Sequence, residues 1–594
     1  MSYFVPDSLL PQKTPSSISS RLYVVPLWDS LIHSVCRLGW SSLTREFSVR
    51  GLSENVFGDD KVTTDDCIVY VGNSQELTSF LSWADNSHIR VLVLPEISSV
   101  KDFAALRPGL LAIQQDEKFL VPGGRFNEMY GWDSFFIACG LLASITSDPG
   151  CDALVVFDTV LSILRHLVYQ INTFGKIHNA NRSYFVNRSN PPFLTSLILE
   201  IELTADSDAR FVFPASTKSK AVIAAAKEIE EYWLHPSKTD TYTGLTRYGN
   251  PSSAALCLAV EAGHYDAIFE SVAIKRGLGV RELVERVRRG DWPHEDREIW
   301  RIVENDLAVR ESGHDTSERL VERASDLCTA DLNCLIYKSM ADLFILTGDV
   351  KWREMSERRK FLSNKFLYDA SLGYFCDYDA NHKARVPFVS PAGIVYPLWS
   401  GITDSHLTRR KLRDSLVIFL EQKGGIVGSE FIGDRLVPRQ WDWPFGWAPH
   451  QILAWEGLRK SGFEEDSRRI CYRWASLLTK YFSVFHCVPE KLDVVNDFDN
   501  WVRGEDVEYG TQCSSPGEFF GWTCASLTIA SGKRYLTADD IISLNAPVAD
   551  SVDQELQIIS KLRESGMFGE AMTWSTIASR RSIGDKLDAG DLFP

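Results

Sequence analysis

Along the first hundred or so residues the apolar positions settle into no single period. Cys67–Gly72 (CIVYVG) and Ile89–Pro95 (IRVLVLP) are short β-branched runs, the pattern of strands, and Gln75–Ala84 between them is patterned as a helix. From about Asp133 the texture changes. Apolar residues recur at three- and four-residue spacing, the mark of amphipathic helices, and predict helices over 133–146, 152–172, 218–234, 327–347, 405–420, 446–461 and 466–482. Loops rich in Gly, Pro, Asn and aromatics separate them. No repeat of fixed period is visible, which argues against a solenoid. The expectation is an all-α fold, a closed helical toroid, preceded by a small mixed α/β segment. The boundaries read as a polar arm over 1–20, an N-terminal segment over 21–121 that packs on the helical body, a main domain over 122–545 and a helical appendage over 546–594.

Charge narrows the partners. The chain carries 63 Lys and Arg against 79 Asp and Glu, a net charge of −16. A nucleic-acid binder shows a basic patch or stripe, and an anionic membrane attracts basic residues, so neither is an expected partner. No uninterrupted apolar run reaches the roughly 18 residues of a transmembrane helix. The N-terminal stretch MSYFVPDSLLPQKTPSS lacks the basic start and apolar core of a secretory signal, so a cytoplasmic location is expected. Twelve cysteines are scattered without a CxxC pair, and in a cytosolic chain they read as free thiols. The sequons at Asn181 and Asn187 are then expected to carry no glycan.

Candidate chemistry concentrates in the loops. Pro122–Phe135 (PGGRFNEMYGWDSF) sets two glycines before a predicted helix, with Arg125, Trp132 and Asp133 at its entrance and Asp133 as a candidate N-cap. Ile177–Phe193 packs Asn, Arg, Tyr and two prolines into one loop; Arg offers a fork of donors and Asn both donor and acceptor, which suits a ring of hydroxyls. In Arg310–Leu320 (RESGHDTSERL) a glycine turn precedes Asp315, with Glu311 and Glu318 nearby. Taken alone, Asp315 reads as a helix cap and Glu490 of PEKLDV as a surface charge. Gly424–Gln451 holds QWDWPFGWAP, too aromatic for an ordinary connection. The 17 tryptophans suit a pocket in which aromatic faces cover C–H surfaces and a few polar groups set orientation. Walker, GxGxxG and HExxH motifs are absent, and histidines are sparse, so neither a metal nor a cofactor is expected.

PGGRFNEMYGWDSF and RQWDWPFGWAPHQ resemble the two signature motifs of the trehalases, glycoside hydrolase family 37. INTFGKIHNANRSYFVNRSNPP, RESGHDTSER, ADLNCLIYK, PEKLDV, EYGTQ and FGWT follow in the family's order, and the resemblance spans roughly Pro122 to Thr523. It implies an (α/α)6 toroid and hydrolysis of an α-glucoside, trehalose, with inversion. It also implies Asp315 as catalytic acid and Glu490 as catalytic base. Inverting carboxyl pairs stand roughly 6.5–9.5 Å apart to admit a water. The motifs carry over as sugar contacts onto Arg125, Trp132, Asp133, Asn179, Arg188, Trp441 and Glu508, with Asn190 and Gly313 in the same segments. Four departures stand out: His314 where the family has Trp, Thr316 in place of an aromatic, Asn190 in place of Gln, and Leu245–Ser252 (LTRYGNPS) in place of an arginine-rich stretch, with Arg247 as a candidate substitute. Two further readings fit these departures: another α-linked glucoside as substrate, or a sugar-binding homologue without turnover.

Overall fold

The computed structural model describes residues 27–48, 67–84, 89–95, 109–147, 150–249, 264–293, 295–433, 439–496, 517–532 and 534–545. The expected polar arm (1–20) and appendage (546–594) lie outside the described residues. Two compact units divide the chain, Met1–Ser30 with Asn545–Pro594 and Leu31–Leu544. In the first, the Asp29 N–H donates to Asn545 Oδ1 at 3.0 Å. The second holds both the α/β segment and the helical body.

The predicted α/β segment forms. β1 (Cys67–Val71) and β2 (Ile89–Val93) pair in parallel across α1 (Ser74–Trp83), and β1 carries β3 (Leu110–Leu111) on its other edge. Parallel strands need such a crossover. Asn73 caps α1, its side chain accepting from the N–H groups of Gln75 and Glu76. The segment is tied to the loop at 177–193: Leu111 N–H donates to Asn181 O at 2.9 Å, and Gly109 N–H to Ser183 Oγ at 3.0 Å. Asn181 and Asn187 are both buried, which leaves no room for a glycan on either.

The helical body is an (α/α)6 ring. Its inner helices are α2 (Gly131–Ser147), α4 (Leu194–Ser207), α7 (Ala330–Thr347), α9 (Pro391–Ser400), α11 (Ala448–Lys460) and α13 (Gly521–Ser531), each packed on the next and the last on the first. Outer helices α3 (Ala153–Phe174), α5 (Ala215–Lys227), α8 (Val350–Phe366), α10 (His406–Ser415) and α12 (Glu464–Phe485) follow their inner partners in sequence, and the turn Val35–Gly39 packs outside α13. Between α5 and α7 the chain inserts three short helices and α6 (Arg297–Ser312).

The helices predicted within the described residues all form, and the residues explain why α8, α9 and α13 were missed. Every residue of α9 is buried, and all but two of α13 are. A helix apolar all round has no stripe for a 3.6-residue period to reveal. α8 fails for the opposite reason, being highly charged with few apolar positions. The predicted helix over 218–234 ends in a π-helical stretch, Glu228–Trp233, as does that over 405–420, at Leu416–Leu420.

Ring closure depends on a close approach of α2 and α13. A Cβ on Gly140 would stand 2.5 Å from Ala525 Cα, and Thr528 Oγ1 donates to Gly140 O at 2.9 Å. Alanine ordinarily favours a helix over glycine by about 1 kcal/mol. Here Gly140→Ala is expected to lower stability by about 1–3 kcal/mol, because backbone cannot yield as a side chain can. Thermal or denaturant unfolding reads the sign directly.

Candidate active site

The loops entering α2, α11 and α13 meet at the N-terminal ends of the inner helices and enclose a cavity of about 280 Å³. The dipoles of those helices turn their positive ends toward it. Arg125, Trp132, Asp133, Asn179, Arg188, Asn190, Gly313, Asp315, Trp441 and Glu490 all line it. Glu508 lies outside the described residues. A larger cavity of about 760 Å³ is lined by the C-terminal halves of the inner helices, from Leu142 to Thr146 and at Leu203, Ile345 and Lys460, and contains neither Asp315 nor Glu490.

Asp315 is delivered by α6. That helix ends at Gly313 with φ of 74°, and a Cβ there would stand 2.7 Å from the Trp132 ring, so glycine is required both by backbone and by space. No α-helix follows Asp315 directly, which removes the capping reading. Instead the aromatic loop grips the turn. Trp441 N–H donates to Thr316 O at 3.1 Å, and Asp442 accepts from Ser317 Oγ and Glu318 N–H, both at 2.7 Å. The Gln440 side-chain amide donates to the Asp315 carbonyl.

Glu490 is buried, contrary to the surface reading. It precedes the strand Lys491–Asp493, which pairs with Phe445–Trp447 and sets Lys491 opposite Trp447. Its carbonyl accepts from Trp522 Nε1 at 3.0 Å, and its Oε2 lies 3.9 Å from Lys491 Nζ. Burial raises its pKa, and the charges of Lys491 and Arg125 oppose the rise. Asp133 is pushed well above the carboxylate range by burial and then by the charge of Glu490. It sits within the first turn of α2 rather than at its cap. The polar atom at that helix start is Asn190 Oδ1, which accepts from Trp132 N–H at 3.3 Å.

Four tryptophans wall the cavity. Trp441 stacks on Trp447 with centroids 3.8 Å apart, and Trp132 and Trp522 meet edge to face at 5.7 Å. His314 packs beneath them, 4.8 Å from Trp441, with its Nε2 3.2 Å from that of His450. Burial lowers the pKa of His314 to about 4 and that of His450 well below its usual value, so both are neutral at pH 7.

Sequence reasoning overlooked Arg310, Gln440, Trp447 and Trp522, which also line the cavity. Each lies inside a motif already singled out. Arg247 does not join them: it lines a separate cavity of about 290 Å³ with Lys238, Arg297 and Arg301. Residues 250–252 of the departing LTRYGNPS stretch are outside the described residues. Cys328, Cys334, Cys376, Cys471 and Cys524 are buried free thiols.

Comparison with known proteins bears on the family. The family described as Trehalase matches residues 69–530. The chain is 32% identical to the cytosolic neutral trehalase of Kluyveromyces lactis over 84% of its own length and 70% of that protein's. It is 33% identical to the cytosolic neutral trehalase of Emericella nidulans, over 82% and 70%. Among solved structures it is similar to neutral trehalase Nth1 from Saccharomyces cerevisiae, with a TM-score of 0.70 at 27% identity, covering 88% of this chain and 97% of that one.

One charge cluster braces the turn that bears Asp315. Arg319 is buried between Asp331 at 2.6 Å and Asp377 at 2.7 Å. Asp377 also accepts the N–H of Ala330 at 2.9 Å, and Asp331 the hydroxyl of Tyr248 at 3.2 Å. Arg319 and its hydrogen bonds hold the Asp331 pKa at about 2 against the opposing effect of burial. Arg319→Met is expected to lower unfolding free energy at pH 7 by about 3–5 kcal/mol, since two buried carboxylates lose their cation. Denaturant titration measures it.

Proposed function

This chain belongs to the trehalase family, and from that membership we propose that it hydrolyses trehalose to glucose with inversion, Asp315 serving as general acid and Glu490 as general base. The observation that carries the reading is the shared cavity: both carboxyl groups line it together with Arg125, Arg188 and the tryptophan walls. Protonated Asp315 gives its proton to the glycosidic oxygen as the anomeric C–O bond breaks. Ionised Glu490 takes a proton from the water that attacks the same carbon from the opposite face. Asp133, whose pKa is raised by burial and by the charge of Glu490, hydrogen-bonds a sugar hydroxyl. Arg188, held over the Phe185 ring at 4.4 Å, presents its fork to others. The site of action is the cytoplasm, the compartment in the names of the fungal relatives.

Asp315→Ala and Glu490→Ala are each expected to cut turnover by about 10²–10⁴-fold or more while the melting transition is kept. Product NMR before mutarotation tests the stereochemistry. Inversion at one α carbon of trehalose gives one α-glucose and one β-glucose; α-glucose alone would refute it.

The pH profile tests Glu490. A base must be ionised, so a raised pKa sets the acid limb of kcat/KM above the ordinary glutamate value of about 4.3. Lys491 favours the ionised form. Lys491→Met is expected to move that limb to higher pH, and a limb that stays or moves down would remove Glu490 from the role.

A further inference from the structure

The three short inserted helices, His264–Ile268, Glu270–Lys275 and Val280–Arg288, share an apolar core with the outer face of α6, in which Phe269, Leu283, Val287, Trp300 and Leu307 are fully or almost fully buried. None of these residues lines the 280 Å³ cavity. One polar path does lead there. Tyr265, fully buried in the insert, donates its hydroxyl to Asp306 Oδ2 at 2.6 Å. Arg310, one helical turn on, donates Nε to the same oxygen at 2.8 Å, and its guanidinium lies 5.6 Å from the Tyr265 ring centroid. Arg310 lines the cavity with Asp315 and Glu490.

We propose that Tyr265 and Asp306 are positioning residues that aim Arg310 at the bound sugar, so that the insert shapes substrate affinity without touching substrate. The proposal rests on reading the cavity as the glucoside site. Its physical basis is the planar guanidinium: fixing one edge of the fork fixes the direction of the rest. The Asp306 carboxylate that does the fixing is itself held by the tyrosine hydroxyl. A lone Arg–Asp pair one turn apart on a helix could swing as a unit. A third group from another element, bonded to the same oxygen and stacked on the guanidinium, removes that freedom. The chain thereby ties a wall of its active site to an element outside the ring.

Tyr265→Phe keeps the ring in the core and removes only the hydroxyl. With the full-length chain and trehalose, KM is expected to rise about 3–10-fold with kcat nearly unchanged, the pattern of lost ground-state binding. Asp306→Asn serves as a second variant with the same expected direction. Arg310→Ala should raise KM further, and in that background Tyr265→Phe should add nothing, because residues acting through one another are not additive. An equal fold effect of Tyr265→Phe in both backgrounds would overturn the proposal. So would an unchanged KM with a lowered melting temperature, or an Arg310→Ala variant with wild-type kinetics. Failure of the underlying reading looks different: Asp315→Ala and Glu490→Ala would then retain turnover.

Discussion

A single side-chain amide spans the two halves of the cavity. Gln440 Nε2 donates to the carbonyl of Asp315, and its Oε1 accepts from Lys491 Nζ at 2.8 Å, beside Glu490. The proposed acid and base come from stretches far apart in sequence, and their separation decides whether a water fits between them and the sugar. The amide fixes the backbone of one and the neighbour of the other. It is fixed in turn by its own loop, since Trp447 Nε1 donates to the Gln440 carbonyl at 2.7 Å and stacks on Trp441. The rest of the site is arranged so that this short bridge can be made.

Around the bridge, charged groups are buried at a cost that only dense hydrogen bonding offsets. Glu311 is wholly buried on the far side of the Asp315 turn. It accepts from Ser189 N–H at 3.1 Å, Gly249 N–H and Lys238 Nζ, both at 2.6 Å, and the Tyr232 hydroxyl. Those four partners come from the 177–193 loop, the LTRYGNPS stretch, the loop after α5 and the π-helical turn at Glu228–Trp233. One carboxylate therefore sets four segments against the helix that carries Asp315. Glu228, in the same π-helical turn, accepts the N–H of Ile177 at 2.7 Å. The extra residue of a π turn redirects side chains that a regular helix would point elsewhere.

The departures from the family motifs divide in the same physical terms. His314 occupies the place of a tryptophan and keeps aromatic contacts with Trp132 and Trp441, while gaining a hydrogen bond with His450 that an indole could not make in the same way. Asn190 lines the cavity and accepts from the first turn of α2. Arg247 is turned to another cavity, and its Nη1 donates to Ser325 O at 3.3 Å. Arg247 therefore does not reach the cavity that holds Asp315 and Glu490, whereas Arg310, one residue before the ESG motif, does. Nothing in the structure explains Thr316, whose carbonyl accepts from Trp441 N–H.

Much of the site was legible in the sequence because its motifs are local. Gly313, Asp315, Trp132, Asp133, Arg188 and Trp441 stand in short segments whose composition is chemically unusual, and the amphipathic helices announce themselves by their period. The sequence also determined the acidity and the β1–α1–β2 segment. Only tertiary structure decided which face of each motif points inward. The burial of Glu490 depends on Trp447 and Trp522, the placing of Asp133 inside a turn depends on Asn190, and the reach of Arg310 depends on Tyr265. Each of these contacts joins residues some thirty to sixty positions apart. A pattern read along the chain records what neighbours in sequence require of one another, whereas closing a ring of helices brings together groups that share no local period.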